Sequence, residues 1–172
     1  NSFLKSVTLN EGLDTIATGA FNVGRLASIS IPASVRYIAQ QAFASNSGMQ
    51  EYIVAEGNQK YSAINKFLCT KDGKTLLNGV NIPEIIVPES IDTVASYAFY
   101  KMTNITNVKL SNTKVVGQSA FYQDMMISEL DLGQGLDSIC TMAFMYCSSV
   151  KRTTLPSTFR AITNRQALLG CS

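Results

Sequence analysis

The residues of this chain best equipped for chemistry are carboxylates. Glu129 and Asp131 stand two apart in the run Ile127-Ser-Glu-Leu-Asp-Leu132, which puts both side chains on one side of an extended strand. Glu84 holds the matching place in Ile82-Pro-Glu-Ile-Ile-Val87. Two carboxyl groups flanking one sugar ring are what glycosidic hydrolysis uses, so that is the enzyme to weigh first. The case is thin. The sequence has no histidine, no nucleophile elbow and no phosphate loop. Nothing in it indicates a deep, dry pocket that would perturb these carboxylates. The chain therefore reads as a non-enzyme, with no catalytic residues, no cofactor and no metal.

The four cysteines add no redox or metal motif, since no C-x-x-C occurs. Cys140 takes a slot that Ala17, Ala39, Ala95 and Gly117 fill elsewhere, where a thiol acts as a small hydrophobe. Cys147 and Cys171 share another slot one repeat apart. Parallel neighbours about 5 Å apart would permit a disulfide, although two packed free thiols are the simpler reading. Cys69 has no evident partner. Charged residues make up only 15% of the 172 residues and the net charge is +2. With no basic run, electrostatic attraction to nucleic acid is not indicated. No apolar stretch approaches the roughly 18 residues that span a bilayer, so no membrane insertion is expected of this piece.

The elements that must position the carboxylates are repeats. An opening triplet with apolar residues at spacings of three and two recurs seven times: Leu4/Val7/Leu9, Leu26/Ile29/Ile31, Met49/Tyr52/Val54, Ile82/Ile85/Val87, Ile105/Val108/Leu110, Ile127/Leu130/Leu132 and Val150/Thr153/Leu155. The steps between copies are 22, 23, 33, 23, 22 and 23 residues. An L-x-x-L-x-L opening with a period in the twenties marks a stacked solenoid. Each triplet reads as a short strand with its apolar residues inward. Two apolar residues three apart follow a turn (Leu13/Ile16, Val35/Ile38, Ile91/Val94, Leu136/Ile139, Phe159/Ile162), where a second short strand fits. An Ala-Phe pair closes the copy at 20–21, 42–43, 98–99, 120–121 and 143–144, with Ala167-Leu168 in the last. The phenylalanines should form an internal stack, carried by about one turn of helix or 3₁₀. The expected fold is a leucine-rich-repeat-like right-handed coil, with a parallel β-sheet of about seven short strands on one face.

The third copy breaks the rule. It runs 33 residues and lacks an Ala-Phe pair. Lys71-Asp72-Gly73-Lys74 lies between apolar runs, and Asp-Gly in that setting is a strong hairpin signal. The expectation is a β-hairpin with arms Ser62–Thr70 and Lys74–Val80, inserted at about 62–80 in place of this copy's return arch.

These residues carry a family likeness. Ile31-Pro-Ala-Ser-Val-Arg-Tyr-Ile38 with Ala42-Phe43, and Val87-Pro-Glu-Ser-Ile-Asp-Thr-Val94 with Ala98-Phe99, resemble the core of BspA-like leucine-rich repeats. Tyr52, Asn58, Tyr61, Ile64 and Lys71-Asp-Gly-Lys-Thr-Leu76 resemble that family's hairpin insertion. The likeness covers essentially the whole chain. It implies a bacterial cell-surface or secreted protein of adhesive character and brings no catalytic residues. Neither end resembles the polar cap of a finished solenoid, so the chain reads as a piece of a longer array, one solenoid from 1 to 172.

The outward columns of the strands are Ser6, Ser28, Glu51, Glu84, Asn107, Glu129, Arg152 and Thr8, Ser30, Ile53, Ile86, Lys109, Asp131, Thr154. Stacking places Glu51, Ile53, Glu84, Ile86, Lys109, Glu129 and Asp131 on one surface, the expected site for a protein or extracellular-matrix partner. Ile53 beside Ile86 would form its apolar centre. On the other side Tyr37, Tyr97, Tyr100, Tyr122 and Tyr146 make a glycan-binding alternative. A structural spacer in a larger surface protein is the non-binding alternative.

Overall fold

The computed structural model describes residues 4–22, 24–163 and 166–171. The chain winds as a β-solenoid of about six turns. The opening triplets give β2 (Ser28–Ile31), β4 (Glu51–Val54), β8 (Glu84–Ile86), β10 (Asn107–Lys109) and β12 (Glu129–Asp131) on one face. Their burial alternates as period-2 strands require, with Ile29, Ile31, Tyr52, Ile85, Val108 and Leu130 inward. Parallel ladders join β2 to β4, and β8 to β10 to β12. Five strands thus stand where seven were expected. The triplets at 4–9 and 150–155 are irregular, for the outermost coils have a neighbour on one side only. Thr153, the polar exception among the triplets, turns its Oγ1 to the Leu130 carbonyl at 3.0 Å.

The second apolar pair of each copy does form a strand. These are β1 (Thr15–Ile16), β3 (Tyr37–Ile38), β9 (Thr93–Val94), β11 (Val115–Val116), β13 (Ser138–Ile139) and β14 (Ala161–Ile162). Here the longer sheet is found, on the face opposite the opening triplets.

The wall that carries the Ala-Phe pairs is not helical; no helix occurs among the described residues. Left-handed residues flank four of the pairs: Gln41 and Ser45, Tyr97 and Lys101, Ser119 and Gln123, Met142 and Tyr146 all have φ between 53° and 64°. A left-handed residue every few positions forbids a continuing helix. In exchange the wall gains bonds between coils. The N–H of Phe21, Phe99, Phe121 and Phe144 each donates to the alanine carbonyl of the next coil at 2.7–2.8 Å.

The phenylalanines stack as the spacing implied. Phe21–Phe43, Phe99–Phe121 and Phe121–Phe144 lie parallel at 5.4, 4.7 and 5.0 Å. All but Phe21, near one end, are fully buried. The third copy interrupts the column with Gly79, whose N–H makes the same bond, to the Ala98 carbonyl at 2.8 Å. A Cβ on Gly79 would lie 1.9 Å from the Phe99 ring. The missing aromatic is supplied from elsewhere in the copy: Phe67 meets Phe99 edge-on at 5.9 Å, and Tyr52 meets Phe43 edge-on at 5.3 Å.

Phe67 belongs to the insertion, which differs from the expected single hairpin. Ser62–Thr70 is not one arm. It folds on itself as β5 (Tyr61–Ile64) and β6 (Phe67–Thr70), turning at Asn65 and Lys66, whose φ values are 49° and 72°. The turn over 71–74, with Gly73 at φ 67°, is the expected one, and across it β6 pairs antiparallel with β7 (Thr75–Asn78). That strand does not replace the return arch but belongs to it: Thr75 and Leu76 pair in parallel with Thr93 and Val94. The result is a seven-stranded sheet in the order β14-β13-β11-β9-β7-β6-β5. Asn58 anchors the insertion's entry. Its Nδ2 donates to the Pro32 and Val35 carbonyls at 2.8 and 3.1 Å, while its Oδ1 accepts from the Lys60 and Tyr61 N–H groups at 2.9 and 2.8 Å.

Candidate functional site

The first-face strands set the seven expected site residues outward, and all seven are exposed. Register places Glu84, Asn107 and Glu129 in one row and Ile86, Lys109 and Asp131 in the next. Within the rows, Asn107 Nδ2 donates to Glu129 Oε2 at 3.0 Å, and Asp131 Oδ1 accepts from the Gly133 N–H at 2.8 Å. An open depression of about 230 Å³ lies over this three-stranded patch. Another of about 470 Å³ continues past the strand ends, by Pro88, Asn112 and Gln134. Neither is an enclosed chamber that would dry a carboxylate.

Glu51 and Ile53 are not part of that patch. They sit on β4, opposite Ser28 and Ser30 of β2. No Cα of β4 comes within 8 Å of β8, so the expected Ile53–Ile86 pair does not form, although the two are 47% and 49% exposed. The physical reason is the β5–β6 turn. The Lys66 carbonyl accepts the Tyr52 N–H at 2.9 Å, taking the position the next strand would have held. The insertion divides the surface. The sequence held one clue to this turn, Asn65, a residue that tolerates left-handed backbone; without a glycine beside it the signal is weak.

Charge is distributed unevenly between the faces. The ion pairs among the described residues join Arg36 to Asp14, Lys74 and Lys114 to Asp92, and Arg160 to Asp137, at 2.9–3.7 Å. All stand along the second-strand side. The Lys114 hydrogen bond, the largest of several contributions, holds the Asp92 carboxyl below its ordinary range. On the first face Glu51, Glu84, Lys109, Glu129 and Asp131 enter no ion pair with another described residue.

The model of the BspA type leucine rich repeat region matches in six copies, over residues 1–71 and 70–171. The chain belongs to the BspA-type leucine-rich repeat family. Solved structures share the fold of this BspA-type array. A leucine rich cell surface protein from Faecalibacterium prausnitzii aligns with a TM-score of 0.79 at 21% identity, over 98% of this chain and 52% of its own. The pneumococcal vaccine antigen PcpA aligns with a TM-score of 0.78 at 23% identity, over 87% of this chain and 38% of its own. The BspA-type chain thus spans about half, or less, of the length of these two. A comparison with curated protein sequences returns no match.

Cys147 and Cys171 are free thiols, lying 3.1 and 3.2 Å from the Phe121 and Phe144 carbonyls. Cys69 is fully buried in β6, and burial pushes its thiol up to about 12. Among the described residues no cluster of Cys, Asp or Glu could hold a metal ion, and no helix is long and apolar enough to cross a membrane. The tyrosine row exists, but its rings turn their faces to one another. Tyr100 and Tyr122 stack at 5.1 Å, Tyr97 and Tyr146 meet them edge-on at 5.6 and 5.9 Å, and Lys101 Nζ lies 5.3 Å from the Tyr100 ring centre. Faces engaged in this way are less free to stack on a sugar.

Proposed function

We propose that this chain is a binding segment of a bacterial cell-surface or secreted protein, of adhesive character, presenting the β8–β10–β12 patch to a host-matrix or cell-surface protein. One observation carries the reading. Among the described residues the ion pairs lie along one side, while Glu84, Glu129 and Asp131, with Lys109 between them, enter none around an exposed Ile86 on the other. A patch built only to be solvated has no need of an apolar centre, whereas an interface does. Family membership and the similarity to a cell surface protein of Faecalibacterium prausnitzii agree with a surface location.

The test measures binding of the folded array to immobilised matrix proteins and to cells. Glu84→Lys with Glu129→Lys should weaken binding and reduce its salt dependence, because acid contacts fade as the screening length falls from about 10 Å at 0.1 M to about 3 Å at 1 M salt. Ile86→Asp should weaken it independently of salt. If both variants fold and bind like the wild type, the patch is not the site, and a spacer role takes precedence.

A further inference from the structure

The insertion that divides the first face leaves one strand without a neighbour. In the β8–β10 ladder, Asn107 N–H donates to the Pro83 carbonyl at 3.0 Å and Val87 N–H to the Lys109 carbonyl at 2.9 Å. In a parallel ladder alternate residues bond to the same side, so Ile85 also faces β10. The N–H and C=O groups of Glu84 and Ile86 then face away from it, towards the insertion. Among the described residues no hydrogen bond reaches them there. No Cα of β4, β5 or β6 lies within 8 Å of β8, against the 4.7–4.9 Å of a paired neighbour. Between β8 and the β5–β6 turn lies a cleft of about 340 Å³, lined by Asn65, Lys66, Phe67, Ile82, Glu84 and Ile86.

An open strand edge inside a sheet is a template for another strand. We infer that the cleft takes an extended segment of the partner protein, which adds to β8 as a strand and closes the gap between the two halves of the first face. This rests on the reading of that face as a protein-binding surface and says how the partner is held. The occupant's chemistry follows from register. Its outward side chains would stand beside Glu84 and Ile86, about 4.5–5.5 Å away. The first position calls for Lys or Arg, since Glu84 is exposed and unpaired. The second, two residues along, calls for Val or Ile against the exposed Ile86. The side chain between them points at Phe67 and Ile82 and must be small or apolar. Lys66 on the far lip disfavours a uniformly basic segment.

Amide hydrogen exchange and NMR titration of the whole chain test this. In the free protein the Glu84 and Ile86 amides should exchange fast while Ile85 and Val87 are protected; protection of all four would overturn the inference, since the edge would already be paired. The probe is the capped peptide acetyl-Ser-Thr-Lys-Ala-Val-Thr-Ser-amide. It should bind at millimolar concentration or better and slow exchange at Glu84 and Ile86. Two controls N-methylated at alternate residues, in opposite phases, separate backbone pairing from side-chain contact. At least one should bind about tenfold more weakly, the loss expected from about one backbone hydrogen bond. A peptide with Glu in place of Lys should lose a similar factor. Ile86→Pro, which deletes an outward N–H and leaves the β10 ladder intact, should abolish the protection; Glu84→Lys should invert the peptide's charge preference. If the N-methylated peptides bind equally well, or only Lys109, Glu129 and Asp131 respond, strand addition is wrong while surface binding by the patch stands. If the peptide does not bind, strand addition is wrong, and the matrix-protein assay above decides the broader reading by itself.

Discussion

The Asp124 carboxyl is fully buried, with one oxygen accepting the Met102 N–H at 2.7 Å and the other without a partner. Burial raises its pKa well above the ordinary carboxylate range, and the Met102 bond only partly opposes this. The folded chain therefore holds this proton more tightly than the unfolded chain does. The stability it contributes is complete below the unfolded value of about 3.9, and it is lost as pH rises from there through the folded pKa. Urea denaturation of wild type and Asp124→Asn at pH 4 and pH 7 should show the asparagine variant gaining on the wild type as pH rises, at up to about 1.4 kcal/mol per pH unit. A pH-independent difference would contradict the assignment. The sequence hid this residue because its slot tolerates Asn46, Met102, Asp124, Cys147 and Cys171 alike. What those residues share is the bond from their N–H to the carbonyl three residues back, at 3.2–3.3 Å. Phe121 was legible, because large aromatic residues recur at one phase of the period. It lies between Phe99 and Phe144, and Phe121→Ala should cost about 3–5 kcal/mol by the same denaturation assay, with Phe121→Leu costing clearly less.

Among the elements, the insertion shows which turns a sequence announces. Asp72-Gly73 did so for a physical reason. Asp72 Oδ1 accepts from Thr70 Oγ1 at 2.6 Å and from the Lys74 N–H at 3.0 Å, and Gly73 supplies the left-handed backbone between them. Gly73→Val should cost about 1–3 kcal/mol, because a β-branched residue is strained in that region and its Cβ would also sit 3.1 Å from Ile64 Cδ1. Thermal denaturation of this variant reads the cost directly; a change below a few tenths of a kcal/mol would mean that the turn adapts. Asn65-Lys66 makes its turn without glycine, so Ser62–Thr70 read as a single arm. That misreading carried into the candidate site. With one hairpin the first face is continuous and Ile53 meets Ile86; with three strands the first tip bonds to β4 and leaves a cleft before β8. Strand register and the outward columns were otherwise readable, because period-2 alternation needs no knowledge of what lies across the coil.

At the scale of the whole molecule, the period gave the stack but not its seam. Both faces change partners at the third copy: β2–β4 and β1–β3 are separate from the sheets that follow. Few bonds cross the seam, and Asn81 makes two of the links around it. Its Nδ2 donates to the Ser47 carbonyl at 2.7 Å, and its Oδ1 accepts the Asn104 N–H at 2.8 Å, joining a coil before the insertion to one after it. In a solenoid each coil is held chiefly by its nearest neighbours, so cooperativity is only as strong as the weakest interface. Asn81→Ala strands groups on both sides of the seam, at about 1–3 kcal/mol for each that water does not reach. Hydrogen exchange should then divide the amides into two sets. Those of β1 to β4, held by fewer coils, should open at lower free energy than those of β9 to β13, and urea unfolding should broaden or split. The wild type should keep the two sets closer together. A variant that unfolds in one sharp step, with all amides shifted equally, would show that the seam transmits cooperativity through packing alone. Phe43 on Tyr52 and Phe67 on Phe99 would then be what joins the halves, and truncating Phe67 should split the transition instead.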